Sequence, residues 1–264
     1  MAGASVGFTS LLFRPRTFCS ENTAQQPTKP VVYQYLICPF CNRVKSYLDY
    51  IDVKYDTVEV NPLTKAEINF PVENKKVPIA FFNGVKVEDS AKIIERITEM
   101  GNNGEFEHGF PSKSFFPEDT THWTEWSEKK LAVMLYPNIT RTFEESWECF
   151  EYAGKVETWS GFQQTLVRVV GTAAMSLANG KIKKKYNIVD ERKELKDTVA
   201  VWCDALKGQK FLHGEQPTMP DIMVFGVLKS IEGLRTFNEV MDESPVLKEW
   251  YGNVKSAMPH PEQQ

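Results

Sequence analysis

Cys38 and Cys41 form a Cys-x-x-Cys motif, the feature of this sequence best suited to chemistry. An apolar, β-prone run over residues 31–37 leads into the motif, and apolar residues over 44–51 then recur at the spacing of one helical face. The pattern predicts a strand, a turn and a helix whose N-terminus holds Cys38. Amide hydrogens and the helix dipole favour an anion there, so we expect a lowered pKa for Cys38 and a thiolate near neutral pH.

Cys41, one turn further into the helix, is expected to be less exposed. It could resolve a mixed disulfide at Cys38 or simply pack. A purely structural pair and a zinc site are the competing interpretations of the motif. Zinc requires a second ligand pair, and the remaining cysteines and histidines show no ligand spacing. They are Cys19, Cys149, Cys203, His108, His122, His213 and His260.

The overall composition is typical of a soluble globular protein: of 264 residues, 42 % are hydrophobic and 25 % are charged. This length allows one large core or two ordinary ones. A net charge of -4 gives no electrostatic reason to expect a nucleic-acid partner. Five cysteines, an odd number, argue against a secreted disulfide framework and for a reducing compartment. No run approaches the ~20 apolar residues of a membrane-spanning helix, so we predict none.

Residues 1–30 are predicted to be a leader or a transit-like tail. Arginine, serine and threonine occur before Glu21 but no acidic residue does, which is typical of an organelle transit peptide. A disordered tail is the alternative interpretation. We therefore expect an intracellular protein, mitochondrial, in another organelle or cytoplasmic, with peripheral membrane association left open.

The first half of the folded chain, residues 31–101, mixes strand and helix signals. Asn83-Gly84 suits a type I′ hairpin, and a cis bond before Pro78 would turn the Val77 backbone towards a peptide ligand. Asp89-Ser90 can cap a helix or present donors to a ligand carboxylate, and both interpretations stay open. The predicted elements are strands over 31–37, 54–60, 76–82 and 85–87, helices from 39 and over 91–100, and a short helical piece over 64–69.

The second half is predicted to be all-helical over 119–264, after a linker over 102–118 that is rich in glycine, asparagine and proline. Thr218 and Asp221 form a capping box before an apolar run. Lys181–Lys185 is interpreted as a solvated helix end, with an anion-binding or membrane-surface patch as the alternative. Helices are predicted over 123–136, 142–152, 161–177 and 190–206, with Pro137 and Asn179-Gly180 as helix-ending signals.

The order of these elements resembles a thioredoxin-like domain, in its glutaredoxin and glutathione-transferase form, followed by an all-α glutathione-transferase-like domain. The fold class is therefore α+β. Across nearly the whole folded chain the sequence is more specifically similar to the type two prostaglandin E synthases, a glutathione-transferase-like family. The motifs that carry this similarity are Tyr33-Gln34-Tyr35-x-x-Cys38-Pro39-Phe40-Cys41, Val58-Glu59-Val60-Asn61-Pro62, Lys76-Val77-Pro78, Trp123-x-x-Trp126 and the segment from Phe211 to Asp221.

The resemblance implies isomerisation of prostaglandin H2, a lipid endoperoxide, to prostaglandin E2, with glutathione bound in the first domain. It implies that Cys38 is the essential thiol and Tyr35 its hydroxyl partner, with Cys41 as a less certain resolving thiol. It also implies that haem can bind together with glutathione and that the protein is a homodimer. The glutathione-binding residues that it implies are Cys38, Phe40, Val77, Pro78, Asp89 and Ser90.

Two other functions use the same residues. A glutathione-dependent thiol-disulfide oxidoreductase would need both Cys38 and Cys41, whereas a non-catalytic module would bind glutathione and haem without turnover. Tyr35 could also be a strand-end aromatic that merely packs. A shared fold does not assign a substrate, so these interpretations remain open at the level of sequence.

Overall fold

The computed structural model describes residues 29–106 and 110–259. Its first part is a four-stranded sheet in the order β2-β1-β3-β4. β1 is parallel to β2 and antiparallel to β3, which pairs with β4 through the Asn83-Gly84 hairpin. Both hairpin residues have positive φ, 49° and 80°, as a type I′ turn requires. The strands are β1 (Val31–Gln34), β2 (Asp56–Glu59), β3 (Ile79–Phe82) and β4 (Val85–Glu88).

Two helices, α1 (Pro39–Tyr50) and α2 (Ser90–Asn102), complete this thioredoxin-like domain. Alternate residues of β1 face opposite sides of the sheet, as the pleat requires. Val32 lies in the main core with both helices, whereas Tyr33 packs on the other side against a small cluster around Ile68. The thioredoxin-like fold was therefore correctly predicted.

The second part is helical, also as predicted. A π-helical segment, Ser127–Leu131, joins α3 to α4, and short 3-10 turns occur at Lys113–Phe115 and Glu151–Lys155. The helices are α3 (Thr120–Trp126), α4 (Ala132–Ile139), α5 (Phe143–Cys149), α6 (Gly161–Tyr186), α7 (Glu191–Leu206), α8 (Met219–Lys229), α9 (Arg235–Glu243) and α10 (Pro245–Ala257). Within the described residues no helix is long and apolar enough to cross a bilayer.

The two domains pack most closely between α1 and α8. A side chain at Gly226 would meet the Cα atom of Arg43 at 2.7 Å and the carbonyl oxygen of Asn42 at 2.9 Å. Glycine at position 226 therefore lets the backbones of α1 and α8 approach, and the apolar residues of both domains form one continuous core.

Three local predictions were wrong because side chains bond to the backbone. Residues 64–69 form turns instead of a helix, since Asn61 Oδ1 accepts hydrogen bonds from the amides of Leu63 and Thr64. The helix predicted to end at Pro137 instead continues to Ile139. There the side-chain amide of Asn138 donates to Met134 O at 2.8 Å.

The third wrong prediction concerns the end of α6. Asn179 does not cap this helix; its amide is buried and donates to Pro137 O and Thr140 O at 2.9 Å, tying α6 to α4. The helix ends at Tyr186 with Asn187 in the left-handed conformation, so the lysines at 183–185 do occupy a last helical turn. The predicted leader over 1–30 lies, except for Lys29 and Pro30, outside the described residues.

Candidate active site

Cys38 is the N-cap residue of α1, and Pro39 follows at the first helical position, as predicted. The turn between β1 and α1 is closed by the Cys38 amide, which donates to Tyr35 O at 3.0 Å. The buried side-chain amide of Asn42 donates to Leu36 O at 2.7 Å and to Cys38 O at 3.0 Å. This side chain from the first turn of α1 therefore fixes the loop that presents the thiol. Cys38 is half-buried and Cys41 is fully buried.

The two thiols have opposite acid–base properties. A hydrogen bond from the Cys41 thiol lowers the pKa of Cys38, and the backbone amides of Cys41 and Phe40 and the charge of Lys45 act in the same direction against the cost of burial. Burial first, and then the hydrogen bond to Cys38, raises the pKa of Cys41 well above its ordinary value. These surroundings therefore favour the thiolate at Cys38 and oppose it at Cys41.

Tyr35 lies at the end of β1 beside the two thiols. Burial and the nearby thiols raise the pKa of Tyr35 to about 12, so its hydroxyl stays protonated and can donate a hydrogen bond. Within the described chain this hydroxyl has no hydrogen-bond partner, which leaves it available to a ligand or to a sulfur anion.

A half-buried carboxyl group, Glu59, and a buried ammonium group, Lys45, lie near the two thiols. Glu59, at the end of β2, accepts hydrogen bonds from the Leu36 amide at 2.8 Å and from Gln34 Nε2 at 3.1 Å. Burial raises the pKa of Glu59 to about 7. Burial lowers the pKa of Lys45, one turn beyond Cys41, while the Cys41 thiol opposes that shift. Neither residue belonged to the sequence-predicted site.

A polar groove of about 700 Å³ brings together the predicted glutathione residues of the strand and helix segments. Five of the six predicted residues, Phe40, Val77, Pro78, Asp89 and Ser90, line it, and the Val77-Pro78 bond is cis. The sixth, Cys38, does not line the groove. Charged residues that were not predicted from the sequence also line the groove. They are Glu73, Lys76, Lys86, Glu88, Lys92 and Glu128.

The N-terminus of α2 opens onto this groove. Asp89 caps it, with Oδ1 accepting from the Ala91 amide at 2.9 Å, and Ser90 is buried behind it. Asp89 has φ 81°, a left-handed backbone conformation that is unfavourable for a residue other than glycine. Such strain at a helix start beside a groove favours ligand binding as a role in addition to capping.

A second, apolar cavity of about 330 Å³ lies against Cys38, between the two domains. Tyr35, Cys38 and Phe40 form its wall in the first domain. The second domain contributes apolar side chains and two phenols that sequence reasoning missed, Tyr136 and Tyr152. Burial raises the pKa of Tyr136 to about 12, and its hydroxyl donates to Met175 Sδ at 2.8 Å.

Phe40 lines both the groove and the cavity, and Cys38 faces the cavity two residues before it. The arrangement therefore offers a polar compartment, an apolar compartment and a thiolate with a phenol donor beside their shared wall. A low-pKa thiol and a protonated phenol can attack or protonate a polarised bond in an apolar ligand. In the described residues no group of three or more His, Cys, Asp or Glu side chains could hold a metal ion.

Two family models match the chain. The model of the glutathione S-transferase N-terminal domain matches residues 32–103, and that of the C-terminal domain matches residues 166–256. Prostaglandin E synthase 2 of Danio rerio is 30 % identical, over 88 % of this chain and 72 % of its own length. The chain belongs to this glutathione S-transferase-like family. Prostaglandin E synthase 2 of Mus musculus is 26 % identical over 86 % of this chain and 70 % of its own length.

Solved structures with the same fold are glutathione transferases and a related etherase. The β-etherase LigF of Sphingobium sp. strain SYK-6 has a TM-score of 0.58 at 16 % identity, covering 89 % of this chain and 98 % of its own. A rice glutathione transferase in complex with glutathione has a TM-score of 0.52 at 14 % identity, covering 90 % and 93 %. At these identities the likeness establishes the fold alone.

Proposed function

We propose that this protein is a glutathione-binding isomerase that converts prostaglandin H2 to prostaglandin E2 through the thiol of Cys38. The observation that carries the proposal is a half-buried thiol of lowered pKa that faces an apolar cavity, next to a polar groove of tripeptide size. Relatives at 26–30 % identity are named prostaglandin E synthase 2, which supports the choice of reaction.

Glutathione fits the chemistry of the groove. The backbone of Val77 can pair with an extended peptide, the start of α2 at Asp89 and Ser90 offers amide and hydroxyl donors to a carboxylate, and lysines neutralise further negative charge. When bound, glutathione supplies a second thiol near the cavity. The apolar cavity suits the hydrocarbon part of a lipid endoperoxide, which could not be buried in the charged groove.

The proposed isomerisation leaves the composition of the substrate unchanged. The O–O bond and one adjacent C–H bond break, a ketone and a hydroxyl form, and the proton lost by carbon is balanced by the proton gained by oxygen. The thiolate of Cys38 acts as the base that takes the proton from the carbon beside one peroxide oxygen, and the electrons of that C–H bond form the ketone as the O–O bond breaks. The protonated Tyr35 hydroxyl donates its proton to the departing oxygen, which becomes the hydroxyl, and the proton held by Cys38 then restores Tyr35. Apolar walls exclude the water that would otherwise compete for the reactive oxygen.

Turnover of prostaglandin H2 with glutathione, followed as prostaglandin E2 by mass spectrometry, tests this proposal. The wild type should form prostaglandin E2 above the spontaneous rate, and Cys38→Ser should lose at least about 100-fold of the catalysed rate. Cys203→Ser, which removes a half-buried thiol outside the site, should behave as the wild type. Equal rates for wild type and Cys38→Ser would refute the role of the thiol.

A glutathione-dependent thiol-disulfide oxidoreductase is the second candidate, favoured by the hydrogen bond between Cys38 and the protonated Cys41. In that reaction Cys38 attacks a glutathione mixed disulfide, releases the other thiol and becomes joined to glutathione. A second glutathione then frees Cys38 and leaves as glutathione disulfide, or Cys41 displaces the first glutathione and the resulting Cys38–Cys41 disulfide is reduced by two further glutathione molecules. Cys41→Ser separates the candidates, because isomerisation should survive while any dithiol activity falls sharply. Glutathione binding without either activity would leave a non-catalytic module. Haem binding stays a prediction. Among the described residues, those that line the groove and the cavity include no histidine that could bind the iron.

We also infer a homodimer whose contact includes the exposed face of α6. From Gly161 to Gly180 this face carries no charged residue, and Phe162 and Leu177 are 75 % and 80 % exposed. An antiparallel second copy centred between Val169 and Val170 would set Phe162 against Leu177 and Leu166 against Ala173, so that apolar side chains meet along the whole contact. Exposed apolar stripes of this length usually mark an interaction surface.

Light scattering during gel filtration tests this contact. The wild type should have twice the monomer mass, and Val170→Glu on the exposed face of α6 should shift it to monomer. Val201→Glu on α7, at a valine of similar exposure outside this face, should remain dimeric. A dimer that survives Val170→Glu would place the interface elsewhere, and a monomeric wild type would contradict the homodimer itself.

A further inference from the structure

Glu128 lines the same groove as Asp89 and Ser90 but comes from the helical domain. It lies in the π-helical segment Ser127–Leu131, which interrupts the regular helix between α3 and α4. Such segments change the direction of the side chains that they carry, and they occur frequently at functional sites. The side chain of Glu128 is 27 % exposed, so a ligand in the groove can reach it.

A buried arginine of the first domain holds Glu128 in place. Arg43 is fully buried; Nη1 donates to Glu128 Oε2 at 2.8 Å, and Nη2 donates to Thr124 O at 3.1 Å. In the described part of the chain Glu128 Oε1 has no hydrogen-bond partner. One carboxylate oxygen is therefore fixed by Arg43, and the other can accept a hydrogen bond from a ligand.

Charged groups of both signs lie at this end of the groove. Burial lowers the pKa of Arg43, and the charges of Glu128 and Asp89 oppose that shift, while Lys92 also lines the groove. Because Glu128 Oε1 has no partner among the described residues, it can accept a hydrogen bond from a further ammonium group. The start of α2 at Ser90 meanwhile offers donors to a negative group. A ligand end that carries an ammonium beside a carboxylate matches this pattern.

We propose that Glu128 accepts a hydrogen bond from the α-ammonium group of the γ-glutamyl end of glutathione. The inference rests on the proposed binding of glutathione in this groove and adds a specificity residue from the second domain. The ligand class it selects is a peptide with a free α-amino group, in contrast to one that carries only the carboxylate.

Calorimetric titration of wild type and Glu128→Gln with two ligands tests this role. The ligands are glutathione and its deamino analogue, glutaryl-cysteinyl-glycine, which lacks only the ammonium group. Because hydrogen bonds between charged groups are the strong ones, glutathione should bind Glu128→Gln at least about tenfold more weakly than wild type. The analogue should bind both proteins equally, and wild type should prefer glutathione to the analogue by a similar factor.

Glu125→Gln is the matched control, since Glu125 is an exposed acid of α3 that pairs with Lys129 at 2.7 Å and does not line the groove. It should bind glutathione as the wild type does. An equal loss of both ligands in Glu128→Gln would assign Glu128 to the support of Arg43 and overturn the proposal, as would unchanged binding of glutathione. Failure of the wild type to bind either ligand would instead overturn the proposed function, and the role of Glu128 with it.

Discussion

Cys38 and Cys41 lie one helical turn apart, and their surroundings give them opposite roles. At the start of α1, a hydrogen bond from Cys41 and the backbone amides lower the pKa of Cys38. Burial raises the pKa of Cys41. The largest single cause of the lowered pKa of Cys38 is therefore a side chain that can be replaced without touching Cys38 itself.

Replacing Cys41 should raise the pKa of Cys38. Cys41→Ala removes the hydrogen bond, so the midpoint of Cys38 alkylation by iodoacetamide should move to higher pH, and Cys41→Ser, which keeps an O–H donor, should move it less. Peptide mass spectrometry measures the alkylation of Cys38 separately from that of other thiols. An unchanged midpoint in Cys41→Ala would show that the amides of α1 alone set the acidity; Cys203→Ala serves as control.

Glu59 should make the protein less stable as the pH rises. Its pKa is raised from 4.5 to about 7 by burial, so between these values the folded protein holds a proton that the unfolded chain has lost. Stability therefore falls as pH rises through this window, and Glu59→Gln should remove that fall. In Glu59→Gln, the side-chain amide of Gln34 can flip, so that its Oε1 atom, which is buried without a partner, accepts a hydrogen bond from the NH2 group introduced at position 59.

Urea denaturation at pH 5 and pH 7.5 measures this effect. The free energy of unfolding of Glu59→Gln, relative to wild type, should be higher at pH 7.5 than at pH 5 by about 1–2 kcal/mol, since partial exposure weakens the full effect. Glu157→Gln, an exposed acid, controls for loss of a surface charge. The same difference at both pH values would mean that Glu59 is ionised throughout.

Cys38 lies at the start of α1, so the position of this helix sets the position of the thiol. Close packing against α8 holds α1 in place. Gly226 permits the contact between these helices, because any Cβ atom would lie within 3.0 Å of the Arg43 backbone. The same contact carries Arg43 towards Glu128. The helix pair therefore links the start of α1 to the far wall of the groove.

Gly226→Ala should destabilise the protein by about 1–3 kcal/mol. The new methyl group would meet backbone atoms of Asn42 and Arg43, which cannot move aside as the end of a flexible side chain could. It should also weaken glutathione binding, since α1 carries both Phe40 and Arg43. Gly252→Ala in α10 meets nothing within 4 Å and should instead stabilise by about 0.5–1 kcal/mol. Thermal unfolding and calorimetry of both variants provide the comparison, and equal stability of the two would contradict the close contact.

Features set by neighbouring residues in the chain could be predicted from sequence. Cys38 at a helix start, the Asn83-Gly84 hairpin and the Asp221 cap, which accepts from the Thr218 amide at 2.9 Å, follow from local rules. Features that depend on packing between distant segments could not. No local pattern marks Glu128 or Tyr152 as part of a site, because each enters it only through the docking of the helical domain.

The apolar cavity exists only where the two domains meet. Its first-domain wall ends in the thiol, and its second-domain wall carries the side chains that a hydrocarbon would contact. The groove, by contrast, belongs mainly to the first domain, with Glu128 as the contribution of the second. The whole molecule therefore holds two chemically different compartments on either side of Phe40, and Cys38 lines the apolar one.

Protection of Cys38 from alkylation tests this shared position most directly. S-hexylglutathione combines the tripeptide with a hydrocarbon chain, so it should occupy the groove and the cavity together, whereas S-methylglutathione should occupy the groove alone. The alkylation rate of Cys38, measured by peptide mass spectrometry, is predicted to fall at least about tenfold with saturating S-hexylglutathione and less with S-methylglutathione. An undiminished rate with S-hexylglutathione bound would contradict the account, because the hydrocarbon chain would then not fill the cavity that Cys38 lines.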